Sequence, residues 1–125
     1  MLMKEIIAII RPSKMNATKK SLDELNIPSV TAIPVFGRGN QRGLNPILSG
    51  IDISKDALVK GHVTGMKFVP KRMLVIVAKD EDVEVIVNAI IKSNKTGYIG
   101  DGKIFICPTD NALRVRTKES GDSAL

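Results

Sequence analysis

The chain has 125 residues, 43% of them hydrophobic and 3% aromatic, which allows a single domain with a hydrophobic core. Its formal net charge of +6 is compatible with nucleic-acid binding, but the scarcity of aromatic residues and the lack of a basic recognition helix argue against a nucleic-acid partner. No apolar run approaches the roughly 20 residues of a membrane-spanning helix, and the N-terminus lacks a signal-peptide pattern. We therefore expect a cytoplasmic protein without membrane insertion.

The first half of the chain predicts a strand, a helix and a second strand. Residues 4–10 form an almost unbroken apolar, β-prone run, which is typical of a central strand. Asn16 is then expected to cap a helix that continues to Leu25 and ends at the Asn-Ile-Pro segment 26–28. Residues 30–36 are expected to form the second strand.

The second half returns to a regular pattern after a long irregular segment. Between residues 38 and 67, glycines and Pro46 interrupt every short apolar piece, so a long loop is expected there. Residues 68–78 predict the third strand and residues 103–107 the fourth. A helix lies between these two strands, with acidic residues at its start that favour the helix dipole. Its buried stripe is expected to consist of Val83, Ile86, Val87, Ile90 and Ile91.

This order of elements predicts an α+β fold. Two split β-α-β halves give a ferredoxin-like β-α-β-β-α-β sandwich, in which one sheet lies under two helices. The whole chain, 1–125, is expected to form one domain, with the extended loop of about 38–67 between strands 2 and 3. Irregular loops longer than about 12–15 residues are uncommon in compact domains unless they are functional or disordered, so this loop is a candidate regulatory segment.

Residues that could catalyse a reaction are scarce in this sequence. The only histidine, His62, lies in the polar loop without an obvious partner. The acidic residues cluster at helix starts or in the C-terminal tail, and the sequence has no nucleophile elbow, Walker A motif or metal-ligand spacing. The single cysteine, Cys107, excludes an internal disulfide. We therefore expect neither a catalytic site nor an enzyme.

A glycine-rich segment near the C-terminus is the strongest candidate for a binding site. Residues 96–106 have the sequence TGYIGDGKIFI, and Arg114 and Arg116 follow. Glycines let a backbone turn tightly and bring its N–H groups close to a ligand, while lysine and arginine supply charge and donors for phosphate oxygens. Residues 113–117 are expected to form a short extra strand, in which alternation would direct both arginines to the same face.

Together with three other segments, this motif resembles the PII signal-transduction family. The similar segments are 3–25 (MKEIIAIIRPSKMNATKKSLDEL), 37–43 (GRGNQRG) and 68–78 (FVPKRMLVIVA). They resemble the family's first strand and helix, the base of its long functional loop and the strand that leaves that loop. The resemblance implies a homotrimer with inward-facing sheets and an ATP or ADP site in the cleft between neighbouring subunits.

The resemblance also implies the residues of two binding sites. The positions that match the family's nucleotide-binding residues are Thr31, Gly37, Gly39, Gly100, Gly102, Lys103, Arg114 and Arg116. Gln41 and Lys71 match the glutamine and lysine that hold 2-oxoglutarate. In the family this keto acid chelates a Mg²⁺ already bound to the ATP phosphates, and Gln41 is the residue expected at the metal. Such a site binds 2-oxoglutarate only when ATP is present.

Several residues depart from the common pattern of the family. Asn40, Val75 and Tyr98 stand where an arginine, a glutamate and a lysine are common, which leaves the preference for ATP or ADP open. The loop is longer than usual in the family and has no tyrosine, so control by nucleotidylylation is not expected. The loop, its GRGNQRG base and its PKRMLVIVA exit most resemble the PII-like proteins associated with nitrogenase in methanogenic archaea, as the longer-loop member of a pair.

The resemblance therefore implies a regulator. It would sense ATP or ADP and 2-oxoglutarate and would control nitrogenase by protein–protein contact through its long loop, as a homotrimer or as a hetero-oligomer with a second PII-like subunit. The alternative is a PII protein that controls another target, such as an ammonium channel or a metabolic enzyme. Two further classes are an ATP-using enzyme on the same fold and a basic nucleic-acid-binding module, which ATP hydrolysis and steeply salt-dependent nucleic-acid binding would reveal.

Overall fold

A computed structural model describes residues 2–27, 29–38 and 68–125 of the chain. These residues form four strands and two α-helices: β1 (Met3–Ile10), α1 (Met15–Glu24), β2 (Thr31–Gly37), β3 (Val69–Lys79), α2 (Val83–Asn94) and β4 (Lys103–Thr109). Short 3₁₀ segments at Pro12–Lys14 and Asp80–Asp82 lead into the two helices, and a third lies at Gly121–Ala124. No helix within the described ranges is long and apolar enough to cross a membrane.

The four strands form one antiparallel sheet in the order β2-β3-β1-β4. β1 lies in its interior, where Ile9 stands opposite both Met73 of β3 and Lys103 of β4. The outer strands, β2 and β4, each contain a proline, Pro34 and Pro108 respectively. Both helices contribute to one core on one face of the sheet. The predicted ferredoxin-like α+β fold is therefore confirmed.

The hydrophobic core lies between the sheet and the two helices. Side chains alternate between the two faces of a strand, so every second residue of β1 and β3 points into this core. Its buried members are Ile6, Ala8, Ile10, Leu22, Leu74, Ile76, Ala78, Ile86 and Ile90. The opposite face of the sheet is also apolar: Ile7, Ile9, Met73 and Val75 are half-buried, and Phe105 is 48% exposed. Within the described residues, no second layer covers that face.

The start of α1 differs from the prediction, whereas its end does not. Asn16 does not cap the helix, because the preceding 3₁₀ segment leads directly into it and Lys14 occupies the N-cap position without a side-chain hydrogen bond. At the other end Asn26 adopts a left-handed φ of 59°. The Ile27 N–H donates to the Leu22 carbonyl at 3.0 Å, an arrangement that commonly ends helices.

The buried stripe of α2 follows a different line from the predicted one. Ile86 and Ile90 are 1% exposed, but Ile91 is 45% exposed, so the prediction that Ile91 belongs to the stripe is wrong. The stripe continues instead to Asn94, which is buried. The Asn94 side-chain amide donates to the Thr18 hydroxyl of α1 at 2.8 Å and to the Ile90 carbonyl at 2.8 Å. The buried stripe of α2 thus ends with a polar residue, Asn94, and Ile91, which the apolar pattern assigned to the stripe, lies outside it.

This difference in burial gives a testable pair of variants. Ile90→Ala is expected to lower the free energy of unfolding by about 3 kcal/mol, because it leaves a cavity in the core. Ile91→Ala makes the same chemical change in the same helix, and we expect a loss below about 1 kcal/mol. Urea denaturation measures both values. Equal losses for the two variants would contradict the one-sided burial of α2.

Candidate functional site

The turn between α2 and β4 contains three glycines in a left-handed backbone conformation. Gly97, Gly100 and Gly102 have φ values of 90°, 103° and 113°, a region that favours glycine. At Gly102 space is also limiting, because a Cβ atom there would lie 2.0 Å from the backbone oxygen of Ile9. A Cβ atom at Gly97 would meet nothing within 4 Å. Gly102 is therefore required both by its backbone conformation and by its close packing on β1.

The Asp101 carboxylate holds the start of this turn. One of its oxygens accepts hydrogen bonds from the backbone N–H groups of Thr96, at 2.8 Å, and Gly97, at 2.9 Å. The other accepts from the Thr96 hydroxyl and, at 2.6 Å, from Nη1 of Arg11. The Thr96 hydroxyl above all, and then Arg11 and the Thr96 N–H, hold the pKa of Asp101 well below its usual range. The carboxylate is therefore ionised at neutral pH.

Arg11 joins the end of β1 to the same turn. Besides its ion pair with Asp101, it donates from Nη2 to the Ile99 carbonyl at 2.9 Å. Neither Arg11 nor Asp101 was among the site residues predicted from the sequence. The available signals were a cation directly after an apolar strand and a carboxylate between two glycines. Their pairing joins positions 90 residues apart, and it depends on β4 lying beside β1.

Lys71 of β3 lies against the glycine turn. It is 7% exposed, and its Nζ donates to the Gly100 carbonyl at 2.9 Å. A Cβ atom on Gly37 would lie 3.7 Å from Lys71 Cγ, so the lysine stem runs between the end of β2 and the turn. Burial lowers the pKa of Lys71, as does the nearby charge of Arg11, whereas the Asp101 carboxylate opposes the shift.

Five of the residues predicted from sequence therefore meet at one end of the sheet. They are Gly37, Lys71, Gly100, Gly102 and Lys103. A cavity of about 260 Å³ between α2 and the start of β4 is lined in part by Asp101, Gly102 and Lys103. This end combines a glycine backbone with two lysines, a set that suits phosphate and carboxylate oxygens. We refer to it as the glycine-lysine end.

Thr31 and Arg114 lie away from the glycine-lysine end. Thr31 begins β2 and Gly37 ends it, so at the usual rise per residue they are roughly 20 Å apart. Nη2 of Arg114 donates to the Leu125 carbonyl at 3.3 Å. Leu125 and Thr31 line the same cavity, of about 400 Å³. Among the predicted nucleotide-binding residues that the structure describes, Thr31 and Arg114 thus lie apart from those at the glycine-lysine end.

The short strand predicted for residues 113–117 is wrong. Only an isolated bridge joins Leu113 to Ser120, because the chain reverses between them: the Lys118 N–H donates to the Arg114 carbonyl at 2.7 Å, and the Arg114 N–H donates to the Glu119 carbonyl at 2.8 Å. Arg116 lies exposed in this turn. Strand alternation therefore does not place Arg114 and Arg116 on one face.

Two of the predicted site residues, Gly39 and Gln41, lie outside the described residues. Among the residues that the structure does describe, no group of three or more histidine, cysteine, aspartate or glutamate side chains is placed to hold a metal ion. The described part of the site therefore consists of cations, glycine backbone and one carboxylate that is already hydrogen-bonded.

The described elements form a small α+β domain whose glycine-lysine end is cationic and rich in glycine. A profile of the family described as "Nitrogen regulatory protein P-II" matches residues 3–119. The chain belongs to this family, as its resemblance in sequence predicted. It is a nitrogen regulatory protein of the P-II type rather than an enzyme.

The chain is also similar to proteins of methanogenic archaea. It is 51% identical to "Nitrogen fixation nifHD region GlnB-like protein 2" of Methanobacterium ivanovii, over 98% of this chain and 99% of that protein. It is 48% identical to "Nitrogen fixation nifHD1 region GlnB-like protein 2" of Methanosarcina barkeri, with the same two coverages. These relatives confirm the predicted subgroup of PII-like proteins.

A solved structure supports the fold assignment. The Arabidopsis thaliana PII protein, described as bound to citrate, superposes with a TM-score of 0.73 and is 32% identical in sequence. The match covers 98% of this chain and 88% of that chain. The similarity therefore extends over nearly the whole protein.

Proposed function

We propose that this protein senses an adenine nucleotide, ATP or ADP, together with 2-oxoglutarate, and controls nitrogenase by direct contact. The observation that carries the proposal is the meeting of Lys71 with the glycine turn at the glycine-lysine end. The long segment between β2, which ends at Gly37, and β3, which begins at Val69, starts and finishes at this end. A ligand bound here would therefore act at both ends of the segment that we propose contacts the target.

The glycine turn and Lys103 are suited to bind the phosphates of the nucleotide. Gly100 carries no side chain that would keep a ligand from the backbone, and Gly102 and Lys103 are exposed at the start of β4. Backbone N–H groups and a mobile ammonium together satisfy several phosphate oxygens. Gly37, and Gly39 outside the described residues, would complete this side of the nucleotide site.

Lys71 is suited to bind a carboxylate of 2-oxoglutarate. Burial disfavours the charged form of the Lys71 side chain, which lowers its pKa. An anionic carboxylate beside it would offset that cost, so a dianion gains more here than at an exposed lysine. Because Nζ donates to the Gly100 carbonyl, this lysine lies against the turn that we propose for the phosphates.

Mg²⁺ fits this end only in company with phosphate. The described side chains are mainly cationic, and the Asp101 carboxylate is already engaged with Arg11, Thr96 and Gly97. Mg²⁺ requires oxygen ligands. The phosphates and the keto acid would supply most of them, with Gln41 as the protein residue at the metal. Binding of 2-oxoglutarate would then be conditional on Mg-ATP.

A neighbouring subunit would complete the nucleotide site. Thr31 and Arg114 lie too far from the glycine-lysine end to share a compact pocket with it in one chain, and Arg116 lies beside Arg114 in sequence. The uncovered apolar face of the sheet offers a surface for association. We therefore propose a homotrimer, or a hetero-oligomer with a second PII-like subunit, in which the two groups of residues from adjacent subunits face each other.

The names of the relatives support nitrogenase as the target. Proteins from three methanogens that match nearly the whole chain are named for a nitrogen fixation nifHD or nifHD1 region. Co-purification from native extract tests this assignment. Recovery of nitrogenase components would support it, and recovery of an ammonium channel or a metabolic enzyme instead would favour the alternative target.

Calorimetric titration tests the sensing mechanism. We expect 2-oxoglutarate to bind the purified protein in the presence of Mg-ATP, and to give no heat with Mg-ADP or without nucleotide. The need for a nucleotide follows from the metal being shared between the phosphates and the keto acid, and the comparison with Mg-ADP tests whether the γ-phosphate is required at that metal. Nucleotide binding without any response to 2-oxoglutarate would refute effector sensing by this chain alone.

A further inference from the structure

The proposed function assigns no ligand to Arg11, although this residue lies at the glycine-lysine end. This arginine is a third cation at the glycine-lysine end, beside Lys71 and Lys103, and its charge suits a phosphate ligand. Its guanidinium instead points to the turn, with Nη1 on the Asp101 carboxylate at 2.6 Å and Nη2 on the Ile99 carbonyl at 2.9 Å. Both of these donors are therefore directed to the protein.

We propose that Arg11 and Asp101 form a clamp that holds the glycine turn in its phosphate-binding shape, and that Arg11 acts on the nucleotide only through this clamp. The inference rests on the proposed nucleotide site. It makes Arg11 and Asp101 positioning residues, in contrast to Lys103, which is proposed to contact phosphate directly.

The hydrogen bonds of the turn show why it needs a clamp. The N–H groups of Thr96, Gly97 and Tyr98 donate to side-chain oxygens, the first two to Asp101 and the third to the Thr96 hydroxyl at 3.1 Å. Side chains therefore replace the regular backbone ladder that holds strands and helices in shape. Because three glycines with positive φ lie in the turn, its backbone has many other conformations available when these bonds are lost.

Arg11 and Lys71 hold consecutive parts of the same turn. Arg11 binds the Ile99 carbonyl and the Asp101 side chain, while Lys71 binds the Gly100 carbonyl between them. The ion pair has a second effect, since it compensates the negative charge of Asp101 close to the place proposed for the phosphates. An uncompensated carboxylate there would repel the nucleotide.

The variant Asp101→Asn tests whether Arg11 acts as a clamp or as a phosphate ligand, because the two roles predict opposite changes in the affinity for Mg-ATP. Asparagine offers one acceptor oxygen and an N–H₂ donor, so it cannot accept the hydrogen bonds that both carboxylate oxygens now receive. If Arg11 were a phosphate ligand restrained by Asp101, releasing it and removing a negative charge would tighten nucleotide binding. The clamp predicts the opposite, an affinity for Mg-ATP about tenfold weaker.

Two measurements are needed, nucleotide titration and amide hydrogen exchange of the whole protein. For Asp101→Asn and for Arg11→Met we expect weaker Mg-ATP binding together with faster exchange at Gly97 and Tyr98, and the double variant should be no weaker than the worse single variant. Asp23→Asn, on α1 at the far end of the fold, removes the same charge and should change neither quantity.

The results also distinguish this inference from the proposed function. If the unchanged protein binds no adenine nucleotide, the proposed function fails, and exchange at Gly97 alone decides whether Arg11 and Asp101 hold the turn. Unaltered exchange in Asp101→Asn would then overturn the clamp. If the unchanged protein binds Mg-ATP and Asp101→Asn binds it equally or more tightly, the clamp is overturned while the nucleotide site stands.

Discussion

Gly102→Ala is expected to lower the free energy of unfolding by about 3–5 kcal/mol. Two independent causes act at this position. The φ of 113° is strained for any residue with a side chain, and the new Cβ would lie 2.0 Å from the Ile9 backbone oxygen. Relief would require β1 and the turn to move apart, which disturbs the pairing of β1 with β4. Urea denaturation monitored by circular dichroism measures the loss.

Gly97→Ala is the matched control for this substitution. Its φ of 90° is also left-handed, but a Cβ there meets nothing within 4 Å. We expect a loss of about 1–2 kcal/mol, from backbone strain alone. If both variants lost the same stability, the close approach of Gly102 to Ile9 would contribute nothing to the free energy of unfolding.

Lys71→Met is expected to abolish the binding of 2-oxoglutarate in the presence of Mg-ATP, with a loss of affinity on the order of 100-fold or more. Methionine keeps the long apolar stem that packs beside Gly37 and removes only the ammonium. Nucleotide affinity should be largely retained, because Arg11 and Asp101 still hold the glycine turn. Calorimetry with 2-oxoglutarate and then with Mg-ATP measures both effects.

Lys79→Met provides the control, since Lys79 ends the same strand opposite Met3, at the far end of the sheet. It changes the net charge by the same amount and should leave both titrations as they are. An effector titration that is the same for Lys71→Met and the unchanged protein would exclude Lys71 as the residue that binds the carboxylate.

The elements of this fold could be predicted because their patterns are local. The alternating burial of β1 and β3 follows directly from runs of apolar residues on strands that are covered on one face by helices. The exceptions arise where a tertiary contact overrides the local pattern. Asn94 is buried although it is polar, and its side-chain N–H₂ donates to Thr18 of the other helix, whereas Ile91 lies on the exposed side of α2.

The candidate site was predictable in part for a similar reason. The glycines and lysines of the glycine-lysine end have recognisable residue types in a recognisable motif. The roles of Arg11 and Asp101 could not be derived in this way. A cation after an apolar strand and a carboxylate between two glycines are both common in sequences, and only the sheet brings these two residues together. The position of Arg114 near Leu125 likewise depends on a chain reversal that apolar alternation does not reveal.

The prolines of the two outer strands limit how this protein can aggregate. Pro34 of β2 and Pro108 of β4 have no N–H group to offer an incoming strand. A sheet with such borders is a poor template for addition of further strands and hence for fibril growth. The two prolines thus disfavour polymerisation through the strand borders of a protein that also has a wide apolar sheet face.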